Sequence, residues 1–265
     1  MKKLIALLSV SALLAACSSD GQRFVKSPVD NLIRDMDQEK NFTVLLYDMD
    51  MEDNFGGDKF KHKYKIVTMK DTVPQERVTD WLEVDEATFL ENENNMGMEI
   101  ASKVDGKLNK AVAPPGYSQY VGNEKYGNWR TNNDGTSFWE FYGQYAMMSS
   151  MLGLASGMIN RNSYYDYRGN YMGTGRPYYG TLSDGRPMYG TYSDHGKRAN
   201  PDFHSRPGGG SAFKNKVNDR VSRSTSSGRT RSSGSSGSSY SSGSSKRSSG
   251  SSSSSRRSSG GRRRR

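Results

Sequence analysis

Lys59-Phe60-Lys61-His62-Lys63-Tyr64-Lys65-Ile66 sets a lysine against a ring or an aliphatic side chain at every second position. A period of two belongs to a β-strand, whose successive Cβ atoms point to opposite faces. The lysines therefore share one face, and Phe60, His62, Tyr64 and Ile66 the other. Upstream, Phe42-Thr43-Val44-Leu45-Leu46-Tyr47 is a nearly unbroken run of apolar and β-branched residues. That is the pattern of a strand covered on both faces and central in its sheet. Asn54 to Asp58, with Gly56-Gly57, supplies the turn between them, which predicts an antiparallel hairpin.

The flanks extend this unit. Ser27-Pro28-Val29-Asp30 reads as a helix start, with Val29, Leu32, Ile33 and Met36 on one apolar face. After a stretch from Pro74 that includes Val78, Trp81, Leu82 and Val84, Asp85-Glu86-Ala87-Thr88 reads as a second capped start, with Phe89 and Leu90 inward and Gly97 beyond the end. Met98 to Val104 and Lys107 to Val112 flank Asp105-Gly106, a pair suited to a type I′ turn, and so form a second hairpin. The expected class is α+β, a small antiparallel sheet with two or three helices over residues 28–145. A Gly/Tyr-rich segment and a disordered Ser/Arg tail are expected to follow.

Rings crowd the end of that domain. Tyr117, Tyr120, Trp129, Trp139 and Tyr142 are the candidate members of an aromatic platform for a glycan or peptide; the competing reading has these rings covering one edge of the sheet. Asp134-Gly135 marks a turn among them. Residues 146–160 are apolar and Met-rich, with Ser149, Gly153 and Gly157 at a spacing of four, which predicts a helix packed on the domain or on a second copy of it. At about fourteen residues the stretch is shorter than a bilayer span.

Residues 161–206 hold a repeat. Gly175-Arg176-Pro177-Tyr178-Tyr179-Gly180-Thr181-Leu182-Ser183-Asp184 is followed by Gly185-Arg186-Pro187-Met188-Tyr189-Gly190-Thr191-Tyr192-Ser193-Asp194, identical at eight of ten positions. Two copies do not make a self-supporting solenoid, so the segment reads as a linker; the competing reading has its repeated Tyr and Arg making weak multivalent contacts with glycans or anionic polymers. Residues 207–265 are almost wholly Gly, Ser, Arg and Lys, a composition that buries too little apolar area to offset chain entropy. The exception within it is Phe213, Val217 and Val221, an i, i+4, i+8 stripe with Lys214, Lys216, Arg220 and Arg223 beside it, a pattern compatible with a short helix on a surface.

The formal net charge of +10 hides a separation. Residues 18–145 carry 15 basic and 23 acidic side chains, whereas residues 211–265 carry 14 basic side chains and one acid, Asp219. Clustered arginines pair with phosphate and carboxylate, which makes Arg256, Arg257, Arg262, Arg263, Arg264 and Arg265 the candidate polyanion contacts.

The N-terminus reads as an export signal over residues 1–16: Lys2 and Lys3, an apolar run from Leu4 to Leu14, then Leu14-Ala15-Ala16-Cys17. This segment resembles the lipobox of bacterial lipoproteins. The resemblance implies cleavage before Cys17, lipidation of its thiol and amine, and, with Ser18 next, an outer-membrane location facing the periplasm or the surface. Residues 17–27 would then be the lipidated Cys and a spacer. Cys17 is the only cysteine, which excludes an intrachain disulfide and a Cys-based metal site.

Catalytic patterns are absent. His62, His195 and His204 have no metal spacing, and neither a GxSxG elbow nor a phosphate-binding loop occurs. Asp48, Asp50, Glu52, Asp53 and Asp58 begin like a calcium loop, but Asp53 stands where Gly is needed and Lys59 where a bidentate Glu belongs. No catalytic residue, metal or cofactor is therefore expected. The sequence favours a non-enzymatic, membrane-anchored envelope lipoprotein whose basic tail contacts anionic polymers or lipids. The alternatives are a self-assembling homo-oligomer joining acidic body to basic tail, and extracytoplasmic nucleic-acid binding, which the export signal disfavours.

Overall fold

This computed structural model describes residues 27–53, 57–154 and 159–230, with side chains described as far as Ser222. The lipobox with Cys17 and the tail arginines Arg256, Arg257 and Arg262 to Arg265 lie outside the described residues. The chain divides after Val221 into two units. Of the second, the described part is the helical backbone of residues 222–230.

The fold is α+β. Its main sheet is antiparallel, in the order β3-β2-β1-β5-β6, built from β1 (Phe42–Glu52), β2 (Lys59–Lys70), β3 (Val73–Val78), β5 (Glu99–Val104) and β6 (Lys107–Asn109). The short β4 (Leu82–Val84) pairs with β2 beyond the end of β3, so the two lie in succession along one edge of that long strand. As the apolar run predicts, β1 is central, and Phe42 to Leu46 are buried on both faces.

One irregularity keeps the pattern consistent. Between Leu46 and Asp48 the register of β1 against β2 slips by one residue, a β-bulge at Tyr47. Before it Phe42, Val44 and Leu46 face one core; after it Met49 and Met51 face the same core. Without the extra residue Asp48 and Asp50 would have taken those buried places.

The hairpin turn at Asp105-Gly106 has positive φ at both residues, 49° and 80°, as a type I′ turn requires. Helix α1 (Pro28–Asp35) opens on Pro28, although Ser27 makes no side-chain cap. Helix α2 (Glu86–Glu91) is capped by Asp85, whose carboxylate accepts from the Thr88 N–H at 2.8 Å and its hydroxyl at 2.7 Å.

Several expectations are corrected beyond residue 110. A second, two-stranded sheet pairs β7 (Gly127–Thr131) with β8 (Ser137–Phe141) around the Asp134-Gly135 turn. The helix expected over 146–160 is short, α3 (Met147–Met151). It ends at Gly153, where φ is +67° and the Gly153 and Leu154 N–H groups return to Ser150 and Ser149. That left-handed stop gives Gly153 a capping role in place of the helix-contact role its spacing suggested.

Residues 161–206, expected as a linker, are folded. They contain α4 (Arg161–Asn170), α5 (Asp194–Ala199) and α6 (Pro201–Ser205), and they bury Tyr164, Tyr167, Tyr178, Tyr189 and Phe203. The two repeat copies turn back on each other, with Tyr189 and Met188 N–H groups donating to the Tyr179 carbonyl and Leu182 to Arg186. Gly190 has φ +103°, and an added Cβ would lie 2.6 Å from the Asn94 carbonyl oxygen. The glycine is thus required by a close approach between the second copy and the body.

The tail also begins folded. Helix α7 (Gly210–Thr230) occupies a stretch expected to be disordered from 207. The Phe213, Val217, Val221 stripe explains it in part: Phe213 and Val217 are buried, while Val221 stays exposed.

Two apolar cores result. One joins Leu32, the apolar face of β1 and β2, Phe89, Phe203, Phe213 and Val217; the other is dominated by tyrosine and tryptophan. No helix among the described residues is long and apolar enough to cross a membrane.

Candidate functional site

The five residues of the candidate aromatic platform do not form one surface. Tyr117, Tyr120 and Trp139 are buried in the tyrosine-rich core, Trp129 is half-buried against them, and only Tyr142 is exposed. Hydroxyl pairing offsets the burial of Tyr117, whereas Trp139 is buried with its indole N–H unpartnered among the described residues. Tyr117 Oη lies 2.7 Å from Tyr189 Oη and 3.3 Å from Ser163 Oγ, and the Tyr178 hydroxyl donates to the Ser163 carbonyl at 2.9 Å. Such pairing offsets the desolvation of a buried hydroxyl.

The acidic residues around the first hairpin have a different role from ion binding. Arg206, just past α6, makes a two-pronged pair with Asp48, at 2.8 and 3.0 Å, and donates again to the Met49 carbonyl at 2.6 Å. Lys216 on α7 reaches the Met51 carbonyl at 2.8 Å and Asp53 at 3.0 Å. Arg220, one turn on, binds Glu86 through Nε at 2.8 Å and Asp58 through Nη1 at 3.0 Å. Three basic side chains at the root of the tail thus engage four acids of the body.

The local sequence explains the docking. Phe213, Val217 and, offset from them, Lys216 and Arg220 recur at helical spacing, so the apolar stripe enters the core as its cationic flank meets the acids. Phe213 packs on Phe89 at 5.7 Å and on Phe203 at 5.2 Å between ring centroids. Sequence reasoning singled out Asp48, Asp53 and Asp58, and Lys216 and Arg220 beside the stripe, but not their pairing, nor the part of Arg206 and Glu86 in it. The signal was the failure of the calcium pattern at Lys59 together with the basic residues beside the stripe.

The β2 lysines are likewise partnered. Lys59 pairs with Glu83, Lys61 with Glu52 and Lys65 with Glu76, while Lys63 sits over the Trp81 ring at 5.0 Å. These contacts lie on a half-buried face of the sheet, and each ion pair, having at least one partner open to solvent, is of small energy.

Three ionisable groups are enclosed. Glu99 is fully buried, and burial pushes its carboxyl up to about 7, against the opposing pull of the Ser118 and Ser102 hydroxyls and the Gly116 N–H, which lies 3.2 Å from Oε2. Burial lowers His62 to about 4, with Asp85 opposing; the ring stacks on Phe89, and Nδ1 lies 3.0 Å from the Tyr64 hydroxyl. Burial, aided by Arg198, lowers His195 to about 4. Shut inside the cores, these groups have no access to a solute. Among the described residues no group of three or more His, Cys, Asp or Glu is placed to hold a metal ion.

No protein-family model, no curated protein and no solved structure matches the chain.

Proposed function

We propose that the protein is a non-enzymatic lipoprotein of the bacterial cell envelope, held at the outer membrane by lipidated Cys17, whose arginine-rich tail binds anionic envelope polymers or lipids. The observation that carries this reading is the docking of the tail's root on its own body. Asp48, Asp53, Asp58 and Glu86 are engaged by Arg206, Lys216 and Arg220 of the same chain. Residues 231–265 add nine basic side chains and no acid. These nine cations follow, in sequence, the segment that docks on the body, which favours an anionic partner outside the chain.

The same contact occupies four of the body's acids in cis, which weighs against the use of those four in assembly through a neighbour's tail. The mechanism is electrostatic tethering, with each basic side chain near an anionic surface worth about 1 kcal/mol before salt screening. The test compares the full chain with one ending at Thr230 for retention on vesicles containing anionic phospholipid and on lipopolysaccharide, at low and high salt. Retention falls at least tenfold in the shorter chain and with salt in the longer one. Equal retention of the two chains at low salt would overturn the proposal. A preference for single-stranded nucleic acid over heparin would instead favour nucleic-acid binding.

A further inference from the structure

Away from the acidic edge, the start of α4 and the turn of the β7–β8 hairpin enclose a groove of about 560 Å³, lined by Asp134, Thr136, Asn160, Arg161, Asn162 and Tyr165 among others. The hairpin and the helix are tied together, which makes the groove part of the fold. The Trp139 N–H donates to the Ile159 carbonyl at 3.0 Å, and Asn160 forms a bridge with Phe138.

The helix sets two adjacent tyrosines to opposite uses. Tyr164 turns inward, buried against Trp129, whereas Tyr165 is 51% exposed. Despite that exposure Tyr165 is held in place: its ring stacks on Trp129 at 6.2 Å and 28°, and the Arg161 guanidinium lies over both rings, 5.9 Å from Trp129 and 5.4 Å from Tyr165. An exposed ring fixed in this way offers a face with little ordering entropy left to lose.

The groove wall is polar in a specific manner. Asn160 and Asn162 carry amides that both donate and accept, Thr136 a hydroxyl, and the remaining two groups are one carboxylate, Asp134, and one guanidinium, Arg161. Their charges cancel, so the groove has no net attraction for an ion. Asn160 and Asn162 also border a second groove of about 530 Å³, walled by Ser163, Asp166, Tyr178 and the Thr181 to Ser183 stretch of the repeat; its carboxylate disfavours an anion and accepts from a neutral hydroxyl. Two adjoining grooves suit an oligomer better than a single small molecule.

A ligand matching this surface has apolar faces for a ring, hydroxyl or amide groups along its edges, no net charge, and a repeating length. We infer that the exposed Tyr165 ring, held by Trp129 and Arg161, binds a neutral glycan strand together with Asn160, Asn162 and Asp134 of the groove. The outer part of the Tyr165 ring packs on the C–H face of a sugar while the planar amides and the carboxylate bond its hydroxyls. This site is separate from the tail and independent of its charge.

The test titrates the full chain with the N-acetylglucosamine tetramer and, in a second arm, with cellotetraose, read by calorimetry and tryptophan fluorescence. Saturable binding of either is expected, unchanged between 50 and 500 mM salt and unchanged when Arg262 to Arg265 are replaced by Ser. Tyr165→Ala weakens it at least tenfold while the chain stays folded by circular dichroism, with only the small drop in melting temperature that loss of the stack on Trp129 brings. Tyr165→Phe, which keeps the face, retains most of it. Failure of both tetramers to bind at millimolar concentration would overturn the inference, as would binding that Tyr165→Ala leaves intact.

Discussion

The two cores flanking the central sheet are built from different materials. One is phenylalanine, methionine and aliphatic residues: Phe42, Val44, Leu46, Met49, Phe60, Ile66, Phe89, Phe203, Phe213 and Val217. The other gathers Tyr117, Tyr120, Tyr126, Tyr145, Tyr164, Tyr167, Tyr178 and Tyr189 around Trp139. The first is held mainly by shape and exclusion of water, with one buried polar pair, His62 Nδ1 and the Tyr64 hydroxyl at 3.0 Å. The second adds directional bonds between hydroxyls from distant parts of the chain, so its parts are only stable together. The tail root enters the first core, whereas the repeat closes the second.

Breaking the first core should cost most. Phe213→Ala removes a ring packed on Phe89 and Phe203 and should lower stability by about 4 kcal/mol, read by urea denaturation. A loss below about 1 kcal/mol would mean that α7 is not part of the core.

Titration separates the cores next. Glu99 lies among the tyrosines with its folded pKa raised to about 7. A raised carboxyl contributes stability fully present below its unfolded pKa and lost as pH rises through the folded one. Stability should therefore fall between about pH 4.5 and 7 on this account. His62, in the first core, and His195, beside Tyr189, have folded values lowered to about 4. The unfolded chain takes up their protons first, so stability from these groups falls as pH drops from 6.5 towards 4. Glu99→Gln should remove the Glu99 component, making the variant more favourable relative to wild type at pH 8 than at pH 4 by up to about 3 kcal/mol. A pH-independent difference between variant and wild type would refute the burial of Glu99.

The smallest effect belongs to a single hydroxyl. Tyr189→Phe deprives the Tyr117 hydroxyl of its closest partner, 2.7 Å away, while Ser163 remains at 3.3 Å. A loss of about 1 kcal/mol in thermal or urea unfolding is expected. No loss would show the tyrosine core to be held by ring packing alone.

The same contrast explains what could be read from the chain. The first core was legible because it is assembled from local periodicity: the alternation of Lys59 to Ile66, the run from Phe42, the cap at Asp85 and the turn at Asp105-Gly106. The second was not, because tyrosine is at home on a surface or in an interior, and only its distant partners decide. Tyr117 and Tyr189 are 72 residues apart in the chain, and Ser163 lies between them. Within the candidate sites, the acids Asp48, Asp53 and Asp58 stood out by their clustering. Their pairing did not, because Arg206, Lys216 and Arg220 lie about 160 residues downstream in a segment whose composition masks one short amphipathic helix. Trp129 was legible as a ring, but Tyr165, which completes its stack, belonged to a stretch read as a linker.

The central claim is a division of labour among the basic residues, those at the root docking on the body and those at the end binding outside it. Retention on vesicles containing anionic phospholipid, measured at low salt for two variants of the full chain, tests it directly. Replacing Arg256, Arg257 and Arg262 to Arg265 by Ser should cut retention at least tenfold and leave unfolding unchanged. Arg206→Gln should leave retention intact while lowering stability by about 2 kcal/mol through the loss of its paired bonds to Asp48. Undiminished retention after the six replacements, or an equal loss from Arg206→Gln alone, would contradict the account.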